Sequence, residues 1–483
     1  MKKIIALLLA LVMVFSLVAC GGKEAAPTDA PAKENAPSEK APAADPSKGS
    51  YPIGISKEQN QAYSTDTASK DYSGRTLRLL LSIGGGGNYY EPVAQRMMEL
   101  YPGLTVELEF SNNAADVLRT QVLSGTAPDI YNVNSGTLPW YDAIEQGIAA
   151  PIDEIFALPT MDGSQTLGDL MDMSLFTLGT YEGQHYVMHE FQYLSGFWYD
   201  AAYFRENNLT VPTDWDSLVE LAGQADALGK KLLGYMGVAA DEYGSCYWLQ
   251  PMIASTDYEL YKSILNLDYE AVANSESMKR VTEKMAFVRD GNYDINTLGC
   301  AATEAQIAFI NHDHLLYPCG SWLEAEMEGA WTDGWELTYL PYSFGDEAGH
   351  EYMRVGGLAS MVSPTTENWD LVCEFYRLLW SDDQAIRDSV AVHRNVVIIP
   401  GFAENYGDLV DPSVKTASAV LGKVGTTNKA RSMWYPEINV EFGNILNAFF
   451  GGDIDEDEVI NRIVAAIKKV AEDDSVTKYV FEG

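Results

Sequence analysis

The sequence predicts an α/β protein on three observations. Short runs alternate apolar and polar residues at period two, segments with helical periodicity separate them, and glycine or proline marks most changeovers. The first run is Leu77, Leu79, Leu81 and Ile83, closed by four glycines at 84–87. Glu91-Pro92 then opens a helix with Val93, Met97 and Leu100 on one face, and Pro102-Gly103 stops it. In the second strand Leu104, Val106, Leu108 and Phe110 alternate with Thr105, Glu107 and Glu109. A second helix runs through Val117, Leu118 and Val122 to Gly125, and Pro128-Asp129 leads into a third strand from Ile130 to Val133. This order implies parallel strands joined by right-handed crossovers, with ligands received at the strands' carboxyl ends. Asn88, Tyr89 and Asn134 fall at those ends and are candidate binding residues, against the plainer alternative of turn residues.

Composition narrows the function. With 483 residues, 47% of them hydrophobic, the chain can build large cores in two or more domains. A net charge of -37 excludes a polyanion-binding surface, so no nucleic acid partner is expected. Five cysteines and six histidines, scattered, make neither a disulfide framework nor a zinc array. Cys246, Cys300, Cys319 and Cys373 are as compatible with buried thiols as with a bridge.

Motifs for catalysis are weak. Tyr89 occupies the place of the third glycine of a GxGxxG, and no P-loop lysine follows the glycine run. His312-Asp313-His314 would set two imidazoles on one face of a strand, without an assignable third ligand. Asp453, Asp455 and Asp457 begin like a calcium loop, but Glu458 replaces the required glycine and Val464 the bidentate glutamate, so they serve a helix N-terminus instead. No cofactor, metal or catalytic group is expected, although a paired-acid glycosidase cannot be located or excluded among 69 carboxylates.

At the N-terminus Lys2 and Lys3 precede an apolar run from Ile4 to Ala19, too short to span a bilayer and suited to a secretory signal. Its end, Leu17-Val18-Ala19-Cys20, resembles the bacterial lipobox, which implies a signal peptide over 1–19 and a lipidated (palmitate-type) Cys20. Residues 21–50 hold eight Ala, five Pro and seven Lys or Glu without an aromatic, a composition that stays unfolded; the tether is placed at 20–70. An extracytoplasmic body attached to the outer face of the cell membrane by its lipid follows.

Several ordered segments carry a family resemblance. YPGLTVELEF (101–110), QVLSGTAPDIYNV (121–133) and AIEQGIAAPIDEIF (143–156) come first. YEGQHYVMHEFQYLSGFWYDAAYFRENNLTVPTDWDSL (181–218) follows, with Asp214 placed to cap a helix from Trp215. GSW (320–322), VGGLASMVSP (355–364) and an amphipathic helix after GGDIDEDEV complete the set. Together they resemble the family 1 extracellular solute-binding proteins of bacterial ABC importers, the carbohydrate group that includes maltose-binding protein. His189, Asp200 and Ser217 depart from the family's usual proline, asparagine and glutamate.

The resemblance implies a two-lobe periplasmic-binding-protein-like fold (type II) with a hinge between lobes: 71–190 and 337–395 as lobe 1, 191–336 and 396–483 as lobe 2. It implies closure around a sugar held by aromatic faces and hydrogen-bonding side chains. Trp322 matches a family tryptophan that stacks on sugar, Trp248 lies in a stretch reaching the cleft, and Gln192 and Tyr193 fall at the lobe crossing. Arg354 precedes Gly356-Gly357, and Trp434-Tyr435 lies in the last crossover. Each has packing as its alternative. The expected protein is a monomeric importer component with a carbohydrate ligand and permease partners. Rivals are a binder of another solute such as a polyamine, a secreted glycoside hydrolase, and a receptor that uses the same fold without transport.

Overall fold

The computed structural model describes residues 55–83, 87–133, 138–397, 399, 402–428 and 430–481. The strands of its main sheet are β1 (Thr76–Ser82), β2 (Thr105–Ser111), β3 (Ile130–Asn132), β4 (Met188–Asp200), β5 (Lys231–Leu233), β6 (His314–Gly320), β7 (Leu337–Leu340), β8 (Tyr352–Val362), β9 (Val396–Val397) and β10 (Gly425–Thr427).

The three strands predicted from alternation form as expected. β1 lies between β2 and β3, parallel to both, with Leu79 opposite Leu108 on one side and Ile130 on the other. The intervening helices, Tyr90–Leu100 and Ala114–Ser124, bury Val93, Met97 and Leu118, and the second ends at Gly125 with φ 71°, a left-handed cap that glycine adopts at little cost. Asp214 caps the helix Trp215–Ala227, its carboxylate accepting from the Ser217 amide.

The sheet continues in the order β2-β1-β3-β8-β4-β6-β5. A second parallel pair, β5 and β6, sits at the far end, and antiparallel β4 and β8 join the two parallel sets. β4 is the long crossing element: its first half pairs with β8 and its second half with β6 and β7. Leu337–Leu340 therefore sits beside Phe197–Asp200 with the second set, not with the first set where the sequence placed it. β10 adds to β8 at Tyr352–Arg354.

The packed body also begins earlier than residue 71. Ala62 is fully buried, Asn60 caps the turn Gln61–Tyr63, and Lys70 Nζ reaches Glu374 at 2.6 Å on the helix Trp369–Ser381. The average composition of this polar stretch hid a few well-placed docking side chains. Cys20 and the tether up to residue 54 lie outside the described residues. Among the described residues, no helix is long and apolar enough to cross a membrane.

Where β4 and β8 cross, Gly357 faces Gln192, and a Cβ on Gly357 would overlap the Phe191 carbonyl oxygen. Gly357→Ala is expected to cost about 2 kcal/mol in urea unfolding. Gly223→Ala, in a helix with open space around the added methyl, should instead add about 0.5–1 kcal/mol. Equal effects of the two changes would refute the steric account.

Candidate functional site

The crossing of β4 and β8 is irregular. Leu358 pairs with Phe191 and Ala359 with His189, so Glu190 is an extra residue bulged out of the ladder. Its side chain is fully buried and accepts hydrogen bonds from the hydroxyls of Tyr89, Tyr90 and Ser360, and Tyr376 joins through a 2.6 Å contact with Ser360. No salt bridge to Glu190 occurs among the described residues. Burial pushes its carboxyl well above the usual carboxylate range, a direction that the Ser360 hydrogen bond opposes. The folded state then holds a proton that the unfolded chain releases near pH 4.5. The stability this contributes is full below that value and falls as pH rises toward the folded-state pKa. Glu190→Gln should flatten this part of the stability–pH curve, measured by thermal melts at stepped pH; an unchanged slope would exclude the protonated acid.

Beside the bulge is a cavity of about 750 Å³. Segments distant in sequence build it: Trp140 from the helix Trp140–Glu145, His189 and Gln192 from β4, Val355 to Gly357 from β8, Thr427 at the end of β10 with Asn428 after it, and Trp434. Aromatic walls come from the two indoles together with Tyr258 and Phe481. His189 Nε2 donates to the Leu178 carbonyl at 2.7 Å, and its ring lies edge-on to Trp140. Thr427 Oγ1 is buried without a hydrogen-bond partner among the described residues, a hydroxyl set in the wall. Asn428 caps the helix Ala430–Trp434 by accepting from the Ala430 amide at 2.8 Å. Among the described residues, Asp172 is the single carboxylate in the wall, and no lysine or arginine lines it.

Of the residues singled out from sequence, Gln192 and Trp434 line this cavity. Tyr193, Trp322 and Arg354 form a second group. The Trp322 ring meets Tyr193 edge-on at 4.8 Å and Tyr247 at 6.0 Å, and Arg354 lies over Tyr247 while pairing with Glu242 at 2.9 Å. Strand alternation accounts for the split, since neighbours such as Gln192 and Tyr193 face opposite sides of the sheet. Tyr193 also bonds His393 Nε2 at 3.1 Å through its hydroxyl.

Other expectations are corrected. Trp248 has no exposed surface and packs among Tyr235, Phe344 and Phe450, so it is core. Tyr435 is fully buried, its hydroxyl accepting from the Tyr479 amide. Tyr89 is fully buried on Glu190, while Asn88 is exposed in a 3-10 turn away from the cavity wall. Asn134 lies outside the described residues. His312 and His314 do not share a face: His312 has φ 56°, bonds Asp200 and stacks between Tyr203 and Trp335, whereas buried His314 bonds Asp294. Asp455 caps the helix Glu456–Ala471. Cys246, Cys300, Cys319 and Cys373 are free thiols.

Trp140, Thr427, Asn428 and Phe481 were missed. The first carried a signal, a tryptophan opening a helix just after a parallel strand end; the others reach the cavity only through long-range packing.

Residues 82–309 match the model of the family described as bacterial extracellular solute-binding protein. The diacetylchitobiose binding protein NgcE of Streptomyces coelicolor is 24% identical over 425 residues, 83% of this chain and 86% of that one. A multiple sugar-binding protein of Streptococcus mutans is 23% identical over 46% of this chain and 51% of its own length. Among solved structures, apo RafE from Streptococcus pneumoniae superposes with a TM-score of 0.67 at 17% identity, over 83% of this chain and 99% of RafE. A chitin oligosaccharide binding protein gives 0.65 at 16% identity, over 82% of this chain and 98% of that one. At such identities these two structures speak for the fold alone. With its two parallel sets joined by crossing strands, the chain has the two-lobed α/β fold of the solute-binding proteins it superposes on, and residues 82–309 match the model of the bacterial extracellular solute-binding proteins.

Proposed function

We propose that this protein captures a neutral sugar or oligosaccharide in the cavity at the β4–β8 crossing and delivers it to the permease of an ABC importer. The cavity wall carries this reading. Indole and phenol faces from Trp140, Trp434 and Tyr258 suit the C–H patches of sugar rings, while Gln192 and Asn428 suit sugar hydroxyls. The sugars named for NgcE and for the Streptococcus mutans protein support the same ligand class. A polyamine would require several carboxylates, and the wall offers Asp172 alone among the described residues. A paired-acid hydrolase would require two, which favours a binder over such a hydrolase. Closure comes from movement of the β1–β3 set against the β5–β6 set about β4 and β8. The lipobox-like run ending at Cys20 supports a lipoprotein held at the outer face of the membrane by its acyl chains.

The test is calorimetric titration and thermal shift of the protein lacking residues 1–20 against mono- and oligosaccharides, amino acids and polyamines. Saturable binding of one sugar series with no change in the sugar is the expected result. Response to polyamines alone, or cleavage of the sugar, would overturn the reading.

A further inference from the structure

After the helix Glu456–Ala471 the chain turns at Asp473, whose carboxylate accepts from the Ser475 amide at 2.9 Å and hydroxyl at 2.6 Å, and runs back over the cavity. It is fixed at two points. The Tyr479 ring stacks on Trp434 at 5.4 Å with 16° between planes and meets Tyr141 edge-on at 4.7 Å. The Tyr479 hydroxyl donates to Glu145 at 2.8 Å, and the amide donates to the Tyr435 hydroxyl at 2.9 Å. Two residues on, the Asn266 side chain clasps the Phe481 backbone, accepting from its amide at 2.7 Å and donating to its carbonyl at 3.0 Å. The first anchor belongs to the helix that packs with Leu80 and Tyr131 of the β1–β3 set. The second is the cap of the helix Tyr258–Leu265, whose Leu260, Tyr261, Ile264 and Leu265 are buried. Val480, between the anchors, and Phe481 form part of the cavity wall, yet Val480 is 76% exposed.

A segment serving only to cover the core would bury its middle residue. Here both ends are held by specific hydrogen bonds while the middle faces the cavity. We propose that residues 479–481 are a specificity strap that closes one end of the cavity and so limits the length of the oligosaccharide held there. The inference rests on the carbohydrate reading of the cavity. A chain that ends at Val480 stays under the aromatic walls, and a longer one must displace the strap and give up the Tyr479 and Asn266 contacts.

Two variants in the otherwise unaltered protein test it. Tyr479→Ala/Phe481→Ala releases the strap, and Val480→Trp, at an exposed position where folding is not at risk, thickens it. Both are titrated with malto- and N-acetylchito-oligosaccharide ladders. In whichever ladder the parent binds, the release variant should favour the longest member over the shortest by about tenfold more than the parent, and Val480→Trp should shorten the longest member bound. Length preferences within about threefold of the parent in both variants would overturn the strap. If the parent binds neither ladder, the carbohydrate reading fails instead. Hydrogen exchange at amides 426–434 of the ligand-free protein then decides: faster exchange by about tenfold on release supports the seal, and unchanged rates overturn it.

Discussion

Trp434→Ala is expected to weaken sugar binding about a hundredfold, near 3 kcal/mol, as read by calorimetry with the sugar that the screen identifies. The indole is part of the cavity wall and also the platform on which Tyr479 stacks, so its removal takes away ring contact and loosens the wall beside it. Trp434→Phe keeps a smaller face and should lose about tenfold. Trp248→Phe is the informative control. Trp248 is equally aromatic and was equally a candidate from sequence, but it sits in the core against Phe344 and Phe450. It should leave affinity within about threefold while lowering stability. If the two tryptophans exchanged these behaviours, the cavity would not be the binding site.

Glu374→Ala should remove about 4 kcal/mol of unfolding free energy at neutral pH, because it strands buried charge. The carboxylate is fully buried between Lys70, at 2.6 Å, and Arg377, at 3.2 Å to each oxygen, and the Tyr101 hydroxyl donates to it as well. Arg377 keeps a 2.7 Å bond to the Pro159 carbonyl when the acid is gone, but Lys70 keeps no carboxylate. A loss under about 1 kcal/mol in urea unfolding would show that the cluster relaxes to solvent. Lys70→Met combined with Glu374→Leu should recover only the part of the loss that Lys70 causes, since Arg377 and the Tyr101 hydroxyl still lose the carboxylate.

The same cluster has a pH signature. Burial lowers the Lys70 pKa from 10.5 to about 8 although Glu374 opposes the shift. Between these values the folded state binds fewer protons than the unfolded chain, so this group makes stability rise with pH across that window. Lys70→Met should abolish that rise.

Much of the fold was legible because its signals are local. Alternation at Leu77 to Ile83 and Leu104 to Phe110, the stop at Pro102-Gly103 and the cap at Asp214 each depend on a few neighbouring residues, and each appears in the structure. The site was legible only in part. Gln192 and Trp434 reach the cavity, but Tyr193 and Arg354 point to the other side of the strands because the face of each strand depends on register, and the bulge at Glu190 shifts it. Trp248 misled because its neighbours Cys246, Tyr247 and Leu249 are buried too, and a segment apolar all round carries no directional signal. Phe481 was beyond reach, since its place depends on Asn266 more than two hundred residues away.

The docking of residues 60–70 on the helix Trp369–Ser381 has a mechanical consequence. Tension applied to the chain upstream of residue 55 enters the fold through the turn at Gln61–Tyr63 and the Lys70–Glu374 contact, and then through β1. In a pulling experiment the short turns should peel first at low force. β1 is paired along its length with parallel β2 and at Leu79 to Leu81 with parallel β3, and would carry the load in shear, the geometry in which many bonds must break together. The β5–β6 set lies off this line of force and stays free to move while the other end is held taut.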